Sequence, residues 1–211
     1  MGLLAAAVPA FAQRYHEEYY KEGELRFRLG DFRPAADDQY WNDSFRQFTG
    51  SASDFENVSF GVDYIFHLAP QVGLIFSGDV YEGQGTQSYR NFVDQNGFRI
   101  RHDTNLDIAS LTAGVLFDLA PRRAPIRPYL AAGGGFYSWR LRESGDFIDF
   151  STANNQIFTS TLKADGVTPG FYALVGIDVP VGRRVSLFAQ GRYQWAKDTL
   201  NKDFEGFGKL D

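Results

Sequence analysis

The sequence predicts an all-β protein and, more specifically, an antiparallel up-and-down transmembrane β-barrel of eight strands with the last one incomplete. Three observations lead to this prediction. Segments of about 10 to 13 residues alternate between apolar and polar side chains. The connections between these segments are short and long in turn. The mean hydropathy is −0.31 although 44% of the residues are hydrophobic, which suits strands with one apolar and one polar face.

The composition limits the other classes of protein. The 211 residues carry a net charge of −5, and this mild acidic balance argues against a nucleic-acid binder. The absence of cysteine excludes disulfides, thiolate metal sites and cysteine nucleophiles. No apolar run reaches the roughly 18 residues that a membrane-spanning helix needs, so a helical membrane protein is excluded. A membrane β-barrel is not excluded, because its alternating strands average to near-neutral hydropathy.

The N-terminal residues indicate export. Residues 1–12 are apolar and end in the small-x-small site Ala10, Phe11, Ala12, which is typical of a signal-peptide remnant cleaved after Ala12. The alternative is a short N-terminal helix that belongs to the fold. Residues 13–23 are polar and are interpreted as a periplasmic lead-in, and residues 24–211 as the barrel domain.

Seven segments show the alternation of a half-buried strand, and almost no segment has the period of a helix. The fifth segment has an ambiguous facing, because its run of small residues from Ala131 to Gly135 has no polarity contrast. The seven predicted strands are 24–32, 58–68, 72–81, 111–119, 129–140, 171–179 and 185–195.

The connections support a barrel in a membrane. Short proline-containing turns at 67–71, 119–128 and 179–184 alternate with long polar stretches at 34–57, 82–105 and 143–169 and from 197 onward. Several long loops are unusual in a compact soluble domain, but outer-membrane barrels have short periplasmic turns and long outer loops. The long connections hold many aromatic residues, so we expect extended hairpins or a recognition surface there.

Closure requires an even number of strands when both termini lie on the periplasmic side. A strand edge left open in hydrocarbon would leave backbone groups unpaired at several kcal/mol each. We therefore expect an eighth strand to begin after the fourth long connection, near Gly206, and the chain to be truncated at both ends.

The alternation alone does not say which face is outside. A soluble lipocalin-like barrel with apolar residues inside has the same period as a membrane barrel with apolar residues outside. Tyrosine and tryptophan favour membrane interfaces, and two predicted aromatic belts, together with the export signal, favour the membrane. The predicted interface aromatics are Tyr64, Phe66, Phe117, Tyr129, Trp139, Tyr193 and Trp195, with Tyr137 expected beside Trp139.

The opposite face is then the barrel interior, and its charges are expected to pair there. We interpret them as a salt-bridged plug that fills the barrel, with a narrow gated pathway as the alternative. The predicted interior network is Arg26, Arg28, Asp63, Asp79, Asp118, Asp178 and Arg192.

Four segments resemble a known family: AFA at 10–12, PYLAAG at 128–133, FYALVG at 171–176 and FAQGRY at 188–193. They are similar to the small eight-stranded outer-membrane barrels, the OmpA/OmpX-like and OmpW-like proteins. The resemblance implies an outer-membrane location, with membrane lipid, lipopolysaccharide and the barrel-assembly machinery as partners. It does not determine a function, because members serve as anchors, adhesins, pores or surface proteins.

No catalytic, cofactor or metal site is predicted. His16 lies in the lead-in, His67 is expected in the interior near a turn, and His102 is expected to be solvated in a loop. We therefore predict a non-enzymatic outer-membrane protein whose long loops meet an extracellular partner. The alternatives are a narrow channel for ions or small apolar solutes and a soluble periplasmic ligand-binding barrel.

Overall fold

The computed structural model describes residues 23–150, 155–182 and 185–210. The predicted signal-peptide remnant at 1–12 and nearly all of the predicted lead-in lie outside the described residues. Gly23, the last residue assigned to the lead-in, belongs to the first strand.

Seven strands form one antiparallel sheet in chain order, in which each strand pairs with the next. This confirms the predicted all-β class, the antiparallel arrangement and the order of the seven predicted strands. The strands are β1 Gly23–Phe32, β2 Asn57–Ala69, β3 Val72–Val93, β4 Arg99–Asp118, β5 Arg127–Asp149, β6 Gln156–Pro180 and β7 Ser186–Ala196.

The four middle strands are much longer than predicted. The ladder between β5 and β6 runs from the pair Arg127 and Asp178 to the pair Asp149 and Gln156. Most residues of the predicted connections 82–105 and 143–169 therefore belong to the paired strands of two long hairpins. In the added segments the outward positions are polar, so the alternation between apolar and polar residues disappears. A strand predicted from that alternation therefore ends too early.

The first long connection contains a helix that the sequence analysis did not predict. Helix α1, Gln39–Gln47, is followed by a 3-10 helix, Ala52–Phe55. Trp41 and Phe55 are fully buried against each other, with ring centroids 5.0 Å apart. The helix is therefore held by the packing of its aromatic side chains onto the strands.

After β7 the chain forms a small second sheet. Strand β8, Asp198–Thr199, pairs with β9, Lys209–Leu210, and the 3-10 helix Lys202–Phe204 lies between them. The segment from Gly206, expected to start an eighth strand of the barrel, pairs with β8 in the described residues and does not join the main sheet.

The main sheet curls until its two edge strands face each other. The guanidinium of Arg26 on β1 lies 5.3 Å from the ring centroid of Phe188 on β7. In the described residues β1 pairs only with β2, and β7 only with β6. A cleft of about 1720 Å³ separates the two edges and is lined by side chains from both faces of each, among them Phe27 and Leu187. We call this cleft the edge slot.

Close approach of backbones marks the middle of the sheet. A Cβ atom on Gly133 of β5 would lie 2.1 Å from the carbonyl oxygen of Ala113, and one on Gly135 would lie 2.1 Å from that of Leu111. Only glycine fits where β5 approaches β4 this closely. No helix in the described part of the chain is long and apolar enough to cross a membrane.

Candidate functional site

The outward side chains of the sheet form an exposed apolar wall. Leu111 is 74% exposed, Phe27 72% and Phe171 70%. The side chains that alternate with them point inward, where Asp63 is fully buried and Arg26 is 5% exposed. The outer face is therefore exposed and apolar, whereas the inner face holds buried charges beside a buried apolar cluster that includes Ile65, Ile75 and Leu116. A soluble barrel would instead expose its polar face.

A row of charged residues bounds the apolar wall on the side of the long hairpins. Glu82 on β3 lies opposite Asp107 on β4, which lies opposite Arg140 on β5, which lies opposite Asp165 on β6. We call these four residues the charged row. Beyond it the outward positions are polar: Gln84, Thr86, Asn105, Arg142 and Lys163. The apolar wall is therefore a band of limited height.

Four inward side chains from four strands form a compact arginine–aspartate box. Arg28 of β1 contacts Asp63 of β2 at 2.8 Å and Asp79 of β3 at 2.7 Å. Arg192 of β7 contacts the same two carboxylates at 3.3 and 2.9 Å. Each arginine thus bridges both aspartates, and the contact between Arg28 Nε and Asp63 is an ion pair without hydrogen-bond alignment.

Neighbouring side chains fit the box tightly. The Ser77 hydroxyl donates to Asp63, and Arg192 lies 4.7 Å from the ring centroid of Tyr172. A Cβ atom on Gly61 would lie 2.5 Å from the Asp79 carboxylate and 2.6 Å from the Arg28 guanidinium. Glycine at 61 therefore leaves the room that the paired charges occupy.

A second charged group lies toward the short turns. Arg26 donates to Glu24 at 2.6 Å and lies 3.9 Å from Asp178, which also binds Arg127. His67 lies 3.7 Å from Glu24 and 4.0 Å from Asp118. The predicted network thus divides in two: Arg28, Asp63, Asp79 and Arg192 in the box, and Arg26, Asp118 and Asp178 in this group. Arg127 was missed because it adjoins Pro128 and was assigned to a turn.

The predicted interface aromatics divide between the two faces. Tyr64, Phe66, Phe117, Tyr193 and Trp195 lie on the exposed outer face, each at least 38% exposed. The prediction was wrong for Tyr129 and Trp139, and also for Tyr137, all of which are buried.

The buried aromatics of β5 have inward partners. Tyr129 lies beside Arg26 and donates to Gln190 at 3.0 Å, and the Trp139 indole N–H donates to Asp198 at 2.9 Å. The small residues at 131–135 carry no polarity contrast, so the alternation did not show which side chains of β5 point inward. The register of β5 with β4 determines this instead.

An aromatic cap closes the interior on the side of the long hairpins. The cap comprises Trp41 and Phe55 together with Tyr81, Leu106 and Leu141, all at most 4% exposed. Beside it the Tyr40 hydroxyl donates to the Glu143 carboxylate at 2.6 Å. Burial raises the pKa of Glu143, and the hydrogen bond from Tyr40 opposes this rise. Tyr40 and Trp41 lie in a long connection that was expected to form extended hairpins or a recognition surface, so their burial was not predicted.

His102 is buried in the long β3–β4 hairpin, so the expectation that it is solvated was wrong. It is 2% exposed, its ring stacks on Phe147 at 5.3 Å, and Phe48 meets it edge-on at 4.4 Å. Neither ring nitrogen has a hydrogen-bond partner among the described residues. Burial lowers the pKa of His102 to about 4, and the neighbouring Asp103 opposes this shift.

We expect the long hairpins to lose stability on mild acidification. The unfolded imidazole takes up a proton near its ordinary pKa of about 6.5, whereas the folded one does so only near 4. The contribution of neutral His102 to the stability of the hairpins is therefore complete above pH 6.5. It falls by up to about 3 kcal/mol as the pH falls toward 4. Amide hydrogen exchange of β4 near Thr104 measures this loss of hairpin stability.

His102→Phe is the control for this effect, because it keeps a buried ring and removes the proton site. The raised pKa of Glu143 changes stability in the opposite direction, so the difference between the wild-type and variant pH profiles isolates His102. Identical profiles for the two proteins would contradict the assignment.

The described side chains include no group of three or more His, Asp or Glu residues that could hold a metal ion. The candidate site comprises three structural features: an apolar outer band, a charged interior and an aromatic cap. Comparisons of the chain with protein-family models, with curated proteins and with solved structures found no match to any of them.

Proposed function

We propose that this chain is a non-enzymatic β-barrel protein of the bacterial outer membrane, with a structural and surface-interaction role carried by its long hairpins. The observation that carries the proposal is the exposed apolar wall around a buried charged interior. In water, such a wall would be an exposed apolar patch far larger than the few hundred Å² typical of soluble monomers. In a bilayer it faces hydrocarbon.

The dimensions of the wall suit a bilayer. On β3 the outward apolar run extends from Val72 to Val80, and on β6 from Val167 to Val179. At about 3.3 Å per residue these runs span roughly 26 and 40 Å along tilted strands, compared with an apolar band about 25 Å tall in barrels of this kind. The charged row then lies at the membrane surface.

The edge slot supports an eight-stranded barrel. Hydrocarbon cannot satisfy the free backbone groups of β1 and β7, so we propose that an eighth strand, antiparallel to both, occupies the slot. Both edge strands run from the short-turn side to the hairpin side, which fixes the direction of the strand between them. Arg26 and Arg192 line the slot on its interior side.

The hairpins supply the proposed interaction surface. The tip of the β3–β4 hairpin lies about 35 Å beyond Glu82 at the spacing of an extended strand. Phe98 is 70% exposed, and Phe92 packs beside Phe150 of the next hairpin at 5.3 Å. An exposed aromatic cluster on paired hairpins is typical of a surface that meets a partner.

The channel alternative gains no support from the interior. An eight-stranded barrel is only just wide enough for its own side chains. The arginine–aspartate box crosses the interior, and the aromatic cap covers the hairpin side. We therefore expect no conductance in planar bilayers at any applied voltage. The preparation must first show the heat-dependent gel mobility of a folded barrel, and stepwise currents from that folded protein would favour the channel.

Single-cysteine labelling on intact cells tests the proposed location, because the chain has no cysteine of its own. Val93→Cys at a hairpin tip and Ile126→Cys at a short turn replace residues that are 57% and 56% exposed. A membrane-impermeant maleimide is expected to label Val93→Cys on intact cells and Ile126→Cys only after permeabilisation. Release of the protein by osmotic shock, with no surface labelling, would favour the soluble periplasmic barrel.

A further inference from the structure

Two cations lie side by side on the outer face, one step beyond the charged row toward the hairpin tips. Arg142 on β5 is directly opposite Lys163 on β6, and both residues are exposed. Neither side chain has an ion-pair partner among the described residues. Like charges directly opposite each other destabilise a sheet, because their Cβ atoms are only about 5 Å apart. An anion between Arg142 and Lys163 would remove this repulsion. We call these two residues the cation pair.

The charged row itself is not an anion site. Arg140 is flanked by carboxylates on both sides, because it lies opposite Asp107 on β4 and opposite Asp165 on β6. It lies 4.0 Å from Asp107, and Asp165 binds Lys202. Carboxylates accept hydrogen bonds and donate none, so the row complements a ligand that carries hydroxyl or amide donors.

The other carboxylates near the cation pair leave it open. Asp203 accepts a hydrogen bond from the backbone N–H of Lys163 at 2.9 Å, and Asp103 accepts one from a threonine hydroxyl on β3 at 2.7 Å. Glu82 lies on β3, two strands away from Arg142. The cation pair is therefore the part of this surface that best suits a phosphate.

An apolar groove of about 610 Å³ lies on the other side of the charged row, within the apolar wall. Its floor consists of small outward residues on three adjacent strands, Gly78, Ala109 and Ser138. Its volume is within the usual range of about 300–1,000 Å³ for ligand pockets. Ser138 and Arg142 point outward from the same strand and are four residues, or about 13 Å, apart. Groove, charged row and cation pair therefore follow one another along β5.

We propose that this surface binds one molecule of lipid A, the acylated and phosphorylated glucosamine disaccharide that anchors lipopolysaccharide. One acyl chain lies in the groove, a sugar lies on the charged row, and a phosphate lies between Arg142 and Lys163. The hydroxyl and amide groups of the sugar supply the donors that the carboxylates of the row accept, whereas the ester-linked glycerol of a phospholipid has none at this position.

The inference rests on the proposed function, because it requires the wall to face lipid and the hairpins to lie on the outer side of the membrane. It adds one defined lipid site to a surface that is otherwise in contact with bulk lipid.

Gly78→Leu fills the groove without a clash. A Cβ atom at 78 would meet its nearest neighbour, Leu111, at 3.6 Å, which is ordinary contact. Gly191→Leu is the matched control, because Gly191 is an exposed glycine on the outer face of β7 with nothing within 4 Å of its Cβ position. It does not line the groove.

The double variant Arg142→Ala/Lys163→Ala removes the proposed phosphate contacts. Both residues are exposed, so their loss is not expected to disturb the fold. The matched control is Arg99→Ala/Arg101→Ala, which removes two exposed arginines from β4 near the tip of its hairpin. It changes the net charge by the same amount at a distance from the groove.

The test measures binding of lipid A to the delipidated protein in detergent, by native mass spectrometry. Lipid A with both phosphates is compared with the dephosphorylated molecule, and phosphatidylglycerol and phosphatidylethanolamine are the phospholipid comparisons. We expect one phosphorylated lipid A per protein, retained about tenfold less by Gly78→Leu, a loss equal to about two buried methylene groups. We expect Arg142→Ala/Lys163→Ala to lose about tenfold and to retain both forms of lipid A equally. The two control proteins are expected to match the wild type.

Three results would overturn the proposal. Equal retention of lipid A by Gly78→Leu and wild type would remove the groove as the acyl site. Equal retention of phosphorylated and dephosphorylated lipid A by the wild type would remove the phosphate site. Tighter retention of either phospholipid than of lipid A would remove the sugar headgroup.

Membrane integration of the wild-type protein is measured in parallel by extraction of membranes with alkaline carbonate. If the protein stays in the membrane, the failure concerns the lipid A site alone. Its release from the membrane would count against the proposed function.

Discussion

Arg192→Ala is expected to destabilise the folded protein by about 3–5 kcal/mol, because it breaks a buried charge network from one side. The Arg192 side chain is 8% exposed and bridges Asp63 and Asp79 from the opposite edge of the sheet to Arg28. Its removal leaves the buried Asp63 and the partly buried Asp79 with one guanidinium between them. Urea unfolding in lipid vesicles, followed by tryptophan fluorescence, measures the change.

Two variants make this result specific. Arg33→Ala removes an arginine whose side chain is 69% exposed and paired with Asp31 in water, and it should leave the free energy of unfolding unchanged. Arg192→Lys keeps the charge but loses the planar donors that reach both aspartates, so an intermediate loss is expected. An Arg192→Ala protein with wild-type unfolding and heat-dependent gel mobility would show that the box does not hold the sheet edges together.

Val175→Arg is expected to cost about 2–4 kcal/mol in a bilayer, the penalty for an arginine near the bilayer midplane of a barrel. Val175 lies within the apolar wall on β6 and is 63% exposed. In water the same substitution on an exposed strand position would change stability by no more than about 0.5 kcal/mol. The free energy of unfolding in vesicles therefore separates a lipid-facing wall from a solvent-facing one.

Val93→Arg is the matched control for this prediction. It makes the same chemical change at a residue that is 57% exposed, at a hairpin tip beyond the charged row. We expect it to be neutral in vesicles. Equal effects of Val175→Arg and Val93→Arg would contradict the assignment of the two regions to lipid and water.

The sequence predicted the parts of the fold in which one face differs clearly from the other. Along β2, the alternation of Phe60, Val62 and Tyr64 with Gly61 and Asp63 predicted the strand and divided its side chains correctly between two faces. It also placed Arg28, Asp63, Asp79 and Arg192 on one face, although it could not show that they form a box separate from Arg26. That separation depends on register, which long-range pairing sets.

The sequence failed where no contrast between faces exists. The small residues between Ala131 and Gly135 left the phase of β5 open, so Tyr129 and Trp139 were placed outside although both are buried. His102 was assigned to a loop because the strands beyond the charged row are polar on their outer face. Helix α1 is a short amphipathic segment, with Tyr40, Trp41 and Ser44 on its buried face, inside an otherwise polar connection that was assigned to a loop. Trp41 packs against Phe55, a contact between distant residues that the local sequence does not show.

The claim that the apolar wall faces lipid is tested most directly by spin-label accessibility in reconstituted bilayers. Nitroxides at Phe76 and Val175 sample the wall on β3 and β6, and one at Val93 provides the aqueous reference. We predict that the two wall sites collide with oxygen and are shielded from a water-soluble nickel complex, whereas Val93 shows the opposite order. Nickel accessibility at Phe76 and Val175 equal to that at Val93 would contradict the account.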